Sequence, residues 1–145
     1  MRPVRNRRDS ENTSLELFFK GLADISRLRI LNLLSHGELC GCDIQYVLQV
    51  SQSNISRHLT YLKNSGLVLD RRAGYRVYYR LTHSASADHK LLFEYLKQAF
   101  KRDRAFADDT KKLKDAIKEG ACSVSELRTR PDYSKLQSAQ RVTSI

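Results

Sequence analysis

The feature that most constrains this chain is a change of hydrophobic period partway along it. Apolar residues recur at helical spacing up to Gly66, alternate from Val68 to Leu81, and return to helical spacing from about Ser86. Ser14 can N-cap a first helix carrying Leu15, Phe18, Phe19 and Leu22. Asp24 can cap a second, from Ile25 to about Ser35, that buries Ile25, Leu28, Leu31 and Leu34 and leaves Arg27 and Arg29 in solvent. A short third helix carries Ile44, Val47 and Leu48. Ser51 opens a fourth, SQSNISRHLTYLKNSG, whose stripe is Ile55, Leu59 and Leu62 and whose stop is Gly66. Val68 to Arg72 and Arg76 to Leu81 read as a hairpin around Ala73-Gly74. Leu92, Tyr95, Leu96, Ala99 and Phe100, resumed by Leu113, Ala116 and Ile117, read as a terminal helix to Glu119 with a break near Asp108-Asp109. A mainly α chain in this order, with a β-hairpin wing, is a winged helix-turn-helix.

The ends lack this pattern. Residues 1–13, with Arg2, Arg5, Arg7 and Arg8, read as a flexible basic arm, 14–119 as the winged helix-turn-helix domain, and 120–145 as a disordered tail. The 145 residues carry 26 Lys+Arg against 16 Asp+Glu, a formal charge of +10, which points to a polyanionic partner, nucleic acid first. No apolar run reaches the roughly 18 residues of a membrane span, and no apolar segment follows the basic start as in a secretory signal. Neither a membrane partner nor export is expected. Three cysteines form no disulfide framework, so a reducing, cytoplasmic setting is expected.

A major groove admits one α-helix, and a reading helix needs short polar side chains on its first turns. The fourth helix offers Gln52, Ser53, Asn54, Ser56, Arg57 and His58 off its stripe, and its start near Ser51 suits a phosphate. Gln and Asn match adenine, and Ser can reach several bases. An ordinary surface helix would carry Glu and Lys there, as helix propensity favours. The hairpin arginines, Arg72 and Arg76 among them, would lie over the flanking backbone or minor groove.

At this point LFFKGLADISRLRILNLLSHGELC, SQSNISRHLTYLKNSGLV and YRVYYRL together resemble the ArsR/SmtB family of bacterial metal-responsive repressors, over roughly residues 14–100. The resemblance implies a homodimer, joined mainly through its first and last helices, that represses by binding operator DNA and is released by a metal or metalloid. The surplus apolar stripe of the last helix agrees with a partner helix. A two-fold dimer would read an inverted repeat in double-stranded DNA, with half-sites about 34–36 Å apart or a multiple of it.

ELCGCD places Cys40 and Cys42 two residues apart, roughly 200° around a regular helix. One soft ion cannot reach both sulfurs there unless the first turn is non-helical or unwinds, which Gly41 makes cheap. Distorting that turn should shift the reading helix, so ligand and DNA would oppose each other. In the family, ELC-x-CD marks arsenite and antimonite sensors, so the resemblance implies As(III) or Sb(III) as inducer on Cys40 and Cys42. The family's third thiol falls at Gln45 here, leaving Cys122, or a hydroxide, to complete the set. The family's zinc site on the last helix needs Asp-x-His, whereas Asp88 is followed by His89 and Lys90, which argues against it. His83 and His89 then read as surface residues.

An enzyme is the rival class, but the chain has no Gly-rich phosphate loop, G-x-S-x-G, H-E-x-x-H or C-x-x-C. The stronger rivals are a winged-helix regulator sensing redox or thiol chemistry through Cys40 and Cys42, and a sensor of a divalent soft metal such as Cd, Zn or Pb. A Cys40–Cys42 disulfide is expected to be strained, because such close neighbours rarely meet the required geometry. An RNA-binding role would need aromatics on an open sheet, where only a hairpin is expected.

Overall fold

The computed structural model describes residues 7–82 and 87–119, with side chains from residue 15 onward. Six helices and a small sheet follow in the order α1 (Arg7–Leu22), α2 (Ile25–Leu34), β1 (Leu39–Cys40), α3 (Gly41–Leu48), α4 (Gln52–Asn64), β2 (Val68–Ala73), β3 (Arg76–Leu81), α5 (Ala87–Arg102) and α6 (Arg104–Glu119). This is the expected winged helix-turn-helix, with α3 and α4 as the helix pair and β2–β3 as the wing.

Its start differs from expectation. α1 begins at Arg7, not after Ser14. Residues 7–14 contain neither Pro nor Gly, and a helix nucleated on the apolar stripe gains one hydrogen bond for each further residue it fixes. The arm expected over residues 1–13 therefore fails for residues 7–13. The remaining six residues and the tail expected over 120–145 lie outside the described residues.

α2 is the hub. Asp24 caps it as expected, accepting from the Arg27 N–H at 3.1 Å. Its burial does not follow one stripe. Ile30, Leu31, Asn32, Leu33 and Leu34 are all buried, while Ile25 is 60% exposed. The C-terminal half is packed by α3, α4, α5, α6 and β3 at once, so every face there is interior. Arg27 and Arg29, expected in solvent, are both engaged. Arg27 donates to the Gly21 and Lys20 carbonyls and lies over the Tyr61 ring. Arg29 grips Asp109 with two bonds of 2.7 and 2.8 Å, and Asp109 is 1% exposed.

That ion pair belongs to α6, which sequence periodicity merged with α5. The break falls at Asp103, not near Asp108-Asp109. The Asp103 carboxylate accepts from the Ala105 N–H at 2.9 Å and restarts the helix. α6 then folds back on α2, where Asn32 donates to the Phe106 carbonyl at 2.9 Å. Phe106, Leu113 and Ala116 enter the core beside Phe100 and Leu96. His89, expected at the surface, is half-buried with its ring edge-on to Phe18 at 4.7 Å. His83 lies outside the described residues.

α4 ends as its sequence requires, with Ser65 as cap and Gly66 at φ +75°, a left-handed conformation that favours glycine. Leu67 then enters the core and the chain runs into β2. The wing pairs Val68 with Leu81 through to Ala73 with Arg76. One strand was not foreseen. β1 adds to the free edge of β3, pairing Leu39 with Tyr79 and Cys40 with Tyr78, so the sheet order is β1-β3-β2. Two residues are too short to show a period.

Candidate functional site

α4 is held with its polar face outward. Ser51 caps it, accepting from the Asn54 N–H at 3.3 Å, and Ile55, Leu59 and Leu62 are buried as expected. Gln52, Ser53, Ser56 and Arg57 are exposed. Asn54 is half-buried and accepts from Arg57 at 2.7 Å, which fixes these two side chains relative to each other. His58 is turned inward. It is half-buried, with Nδ1 3.9 Å from the Asp24 carboxylate that caps α2. Ser51, Gln52, Ser53, Ser56 and Arg57 are thus exposed, Asn54 is half-buried, and His58 is drawn toward the α2 cap.

In the wing, Arg72 is exposed on β2. Arg71 is tied down, donating to Glu38 at 2.8 Å and lying 4.5 Å over the Tyr78 ring. Arg76 is half-buried and reaches back to α3, with Nη1 3.4 Å from the Cys42 sulfur. It does not project with Arg72.

The cysteine pair sits where β1 becomes α3. Cys40 is extended (φ −78°, ψ 155°) and precedes the helix, and Cys42 lies in its first turn. Only one of the two is helical, so the two-residue spacing does not separate the sulfurs as a continuous helix would. The Cα atoms are 5.4 Å apart and the sulfurs are joined as a disulfide. Of the two expected routes, a non-helical turn or unwinding, the structure takes the first: Cys40 stands outside α3, and the pair closes at the helix boundary. Cys40 is buried and Cys42 half-buried.

Asp43 was missed. Its carboxylate accepts from the Cys40 N–H at 3.2 Å, a capping-box contact at the start of α3. Its oxygen and the two sulfurs all lie within 4.8 Å of one another, so the reduced cysteines and this carboxylate form a three-donor cluster. The signal was legible, because Cys40-x-x-Asp43 has capping-box spacing. The Gln45 side chain, at the position of the family's third thiol, lines the adjoining cavity.

That cavity, of about 460 Å³, joins the parts. Cys40 and Cys42 line it together with Gln52 and Ser56 of α4 and Tyr75 and Arg76 of the wing. The cysteine pair, α4 and the wing tip thus border one space. Among the described residues, no helix is long and apolar enough to cross a membrane.

The comparisons with known proteins agree with this architecture. Residues 24–69 match the family described as bacterial regulatory protein, arsR family. The arsenical resistance operon repressor of Escherichia coli is 57% identical over 65 residues, covering 44% of this chain and 56% of that protein. The arsenical resistance operon repressor of Staphylococcus aureus is 43% identical over 74 residues, covering 51% of this chain and 71% of that protein. Among solved structures, the homodimeric winged helix-turn-helix DNA-binding domain of a possible ArsR-family transcriptional regulator from Mycobacterium bovis is 32% identical. Its TM-score is 0.57, and the match covers 68% of this chain and 89% of that one. The chain spans about half the length of the first curated relatives it matches, 52% to 56% of each. By these matches and by the fold just described, the chain belongs to the ArsR family of bacterial transcriptional regulators.

Proposed function

We propose that this protein is a metalloid-responsive repressor that binds an inverted-repeat operator as a homodimer and leaves it when As(III) or Sb(III) is taken up by Cys40 and Cys42. The observation that carries the reading is the shared cavity, where the thiol pair meets Gln52 and Ser56 of the reading helix. In the repressing state Gln52, Ser53, Asn54, Ser56 and Arg57 face base edges, the start of α4 at Ser51 meets a phosphate, and Arg72 lies over the flanking backbone. His58 acts by holding α4 to the α2 cap. The reduced thiolates are soft donors suited to a soft ion, and Asp43 adds an oxygen beside them. The relatives named as arsenical resistance operon repressors support As(III) as inducer. A repressor acting on genomic DNA in this way would work in the cytoplasm.

The dimer reading is supported by apolar side chains left exposed on the two helices expected to pair. Leu15 and Phe19 of α1 are 58% and 55% exposed, and Leu91 and Tyr95 of α5 are 70% and 62%. So much exposed apolar surface on two helices marks an association face.

Anisotropy of a labelled inverted repeat tests the reading. Arsenite should weaken binding by the reduced protein about 5- to 150-fold, the range of ordinary coupling free energies. Cys40→Ser with Cys42→Ser should bind the operator normally and lose the response. Release of that double variant by arsenite would refute the assignment. A second reading, a thiol-redox regulator, is favoured by the disulfide itself. It predicts release by hydrogen peroxide alone, reversed by dithiothreitol, with arsenite inert.

A further inference from the structure

The end of α2 meets α5 and α6 around another cavity, of about 530 Å³, a size usual for small-molecule sites. It shares no lining residue with the cavity at the cysteine pair. The exposed Leu91 and Tyr95 of α5 are not on its wall either. Three lysines line it: Lys97 and Lys101, one turn apart on α5, and Lys114 on α6. Among the described residues none of the three has a carboxylate partner, whereas Lys20 holds Glu16 and Lys63 holds Asp70. Glu94 is the one acidic group on the wall, and Phe100 and Ala107 give it an apolar part.

A fixed polar chain runs along the same wall from α2 to α6. Thr110 Oγ1 donates to the Phe106 carbonyl at 3.0 Å and accepts from Asn32 at 3.2 Å. His36 Nε2 lies 3.2 Å from the same hydroxyl. The hydroxyl proton is already committed, so Nε2 must donate, and a second proton on His36 goes to Nδ1. Burial, and then the charges of Lys114, Lys97 and Lys101, hold His36 below its usual pKa. The three ammonium groups therefore act together on one point.

We propose that this cavity binds a small organic diphosphate or triphosphate, its phosphates among Lys97, Lys101 and Lys114 and its organic part against Phe100 and Ala107. Like charges gathered round one cavity repel each other, and a multiply charged oxyanion turns that repulsion into attraction. Three separate ammonium donors suit the several oxygens of linked phosphates, which lysine holds as a point charge. The inference stands apart from the metalloid reading, because the two cavities have no residue in common.

Calorimetry on reduced full-length protein tests it, with pyrophosphate and ADP as probes. Lys97→Gln with Lys114→Gln removes two charges from the cavity. Lys111→Gln with Lys118→Gln removes two exposed charges of α6 that do not line it. Both probes should bind the native chain at one site, ADP the more tightly. The cavity variant should bind them at least about tenfold more weakly, as two lost contacts to a charged group require, and the control within about twofold of native. Proton NMR gives a second measure. The chain has four histidines, so His36→Gln assigns the His36 signal. Bound pyrophosphate should raise the pKa of that ring, because it offsets the three lysines.

Failure of pyrophosphate to bind would overturn the inference. Equal losses in the two double variants would do so too, by reducing the effect to the general charge of the chain. ADP binding more weakly than pyrophosphate would remove the organic part. A salt slope of duplex binding lowered by about one or more in the cavity variant would assign these lysines to DNA phosphates instead.

Discussion

At the residue scale, the buried charges and caps set the local behaviour. Asp109 is 1% exposed, and Arg29 is its two-bond partner. Removing one member of a buried pair leaves the other uncompensated. Asp109→Ala should therefore cost about 3 kcal/mol, at the lower end of the usual range because Arg29 keeps some contact with water. A urea titration followed by circular dichroism checks this. His36 supplies a pH signature. Burial, reinforced by Lys114, Lys97 and Lys101, holds its pKa below the usual 6.5. The unfolded chain then binds more protons than the folded one as pH falls below 6.5. The stability contributed by neutral His36 is full above that pH and is lost below it, down to the folded-state pKa. His36→Gln should flatten the thermal midpoint between pH 6.5 and 5, and an unchanged slope would count against it. Both groups illustrate what sequence could not supply. Arg29 and Asp109 stand 80 positions apart, and periodicity marks which residues lie off a stripe, not which distant partner waits there.

At the element scale, local signals were most legible where an element carries its own punctuation. α4 began at Ser51, buried Ile55, Leu59 and Leu62, and ended at Gly66, each as its residue type demands. The added Cβ of Gly66→Ala would meet nothing within 4 Å, but the residue would remain at φ +75°. The expected loss is about 1 kcal/mol from backbone conformation alone. Gly21 is the contrasting case. A Cβ there would come within 2.8 Å of Ser65 Oγ and 2.9 Å of Leu67 Cδ1. Gly21→Ala should thus cost more than Gly66→Ala, by pushing α1 off the end of α4. Comparing the two denaturation midpoints decides between them. The α5–α6 boundary was misplaced because Asp103, Asp108 and Asp109 can all read as caps, and only Asp103 accepts from a backbone N–H two residues on. β1 escaped notice because its existence depends on an edge of β3 set almost forty residues later in the chain.

At the scale of the whole molecule, the cysteine turn, the reading helix and the wing surround one cavity, and the proposed second copy supplies the symmetry a palindromic operator needs. Leu91→Asp combined with Tyr95→Asp should shift the protein to a monomer in light scattering. It should weaken operator binding far more than either half-site alone would explain, because the two halves lose their shared effective concentration. Arg72→Gln should weaken binding to all sequences alike and lower the salt slope by about one. Gln52 and Asn54 substitutions should change base preference instead. The residues proposed for base contact on α4 stand out in sequence because Gln, Ser and Asn occupy positions where helix propensity favours Glu and Lys. Asp43 could have been found from its capping-box spacing to Cys40, whereas the turn of Arg76 toward Cys42 depends on where the backbone leaves β1 and enters α3, which no residue pattern discloses.

The pairing of Cys40 with Tyr78 has a further result for how such a protein can diversify. The middle strand of the sheet is also the wall behind the cysteine pair, so under the proposed function the chain could not retune operator grip and ion choice separately through that strand. Substitutions at Tyr78 or Tyr79 selected for one property should drag the other along. Lineages that change inducer would then be expected to alter the outer strand and its tip first, where Arg72 stands clear of the shared wall.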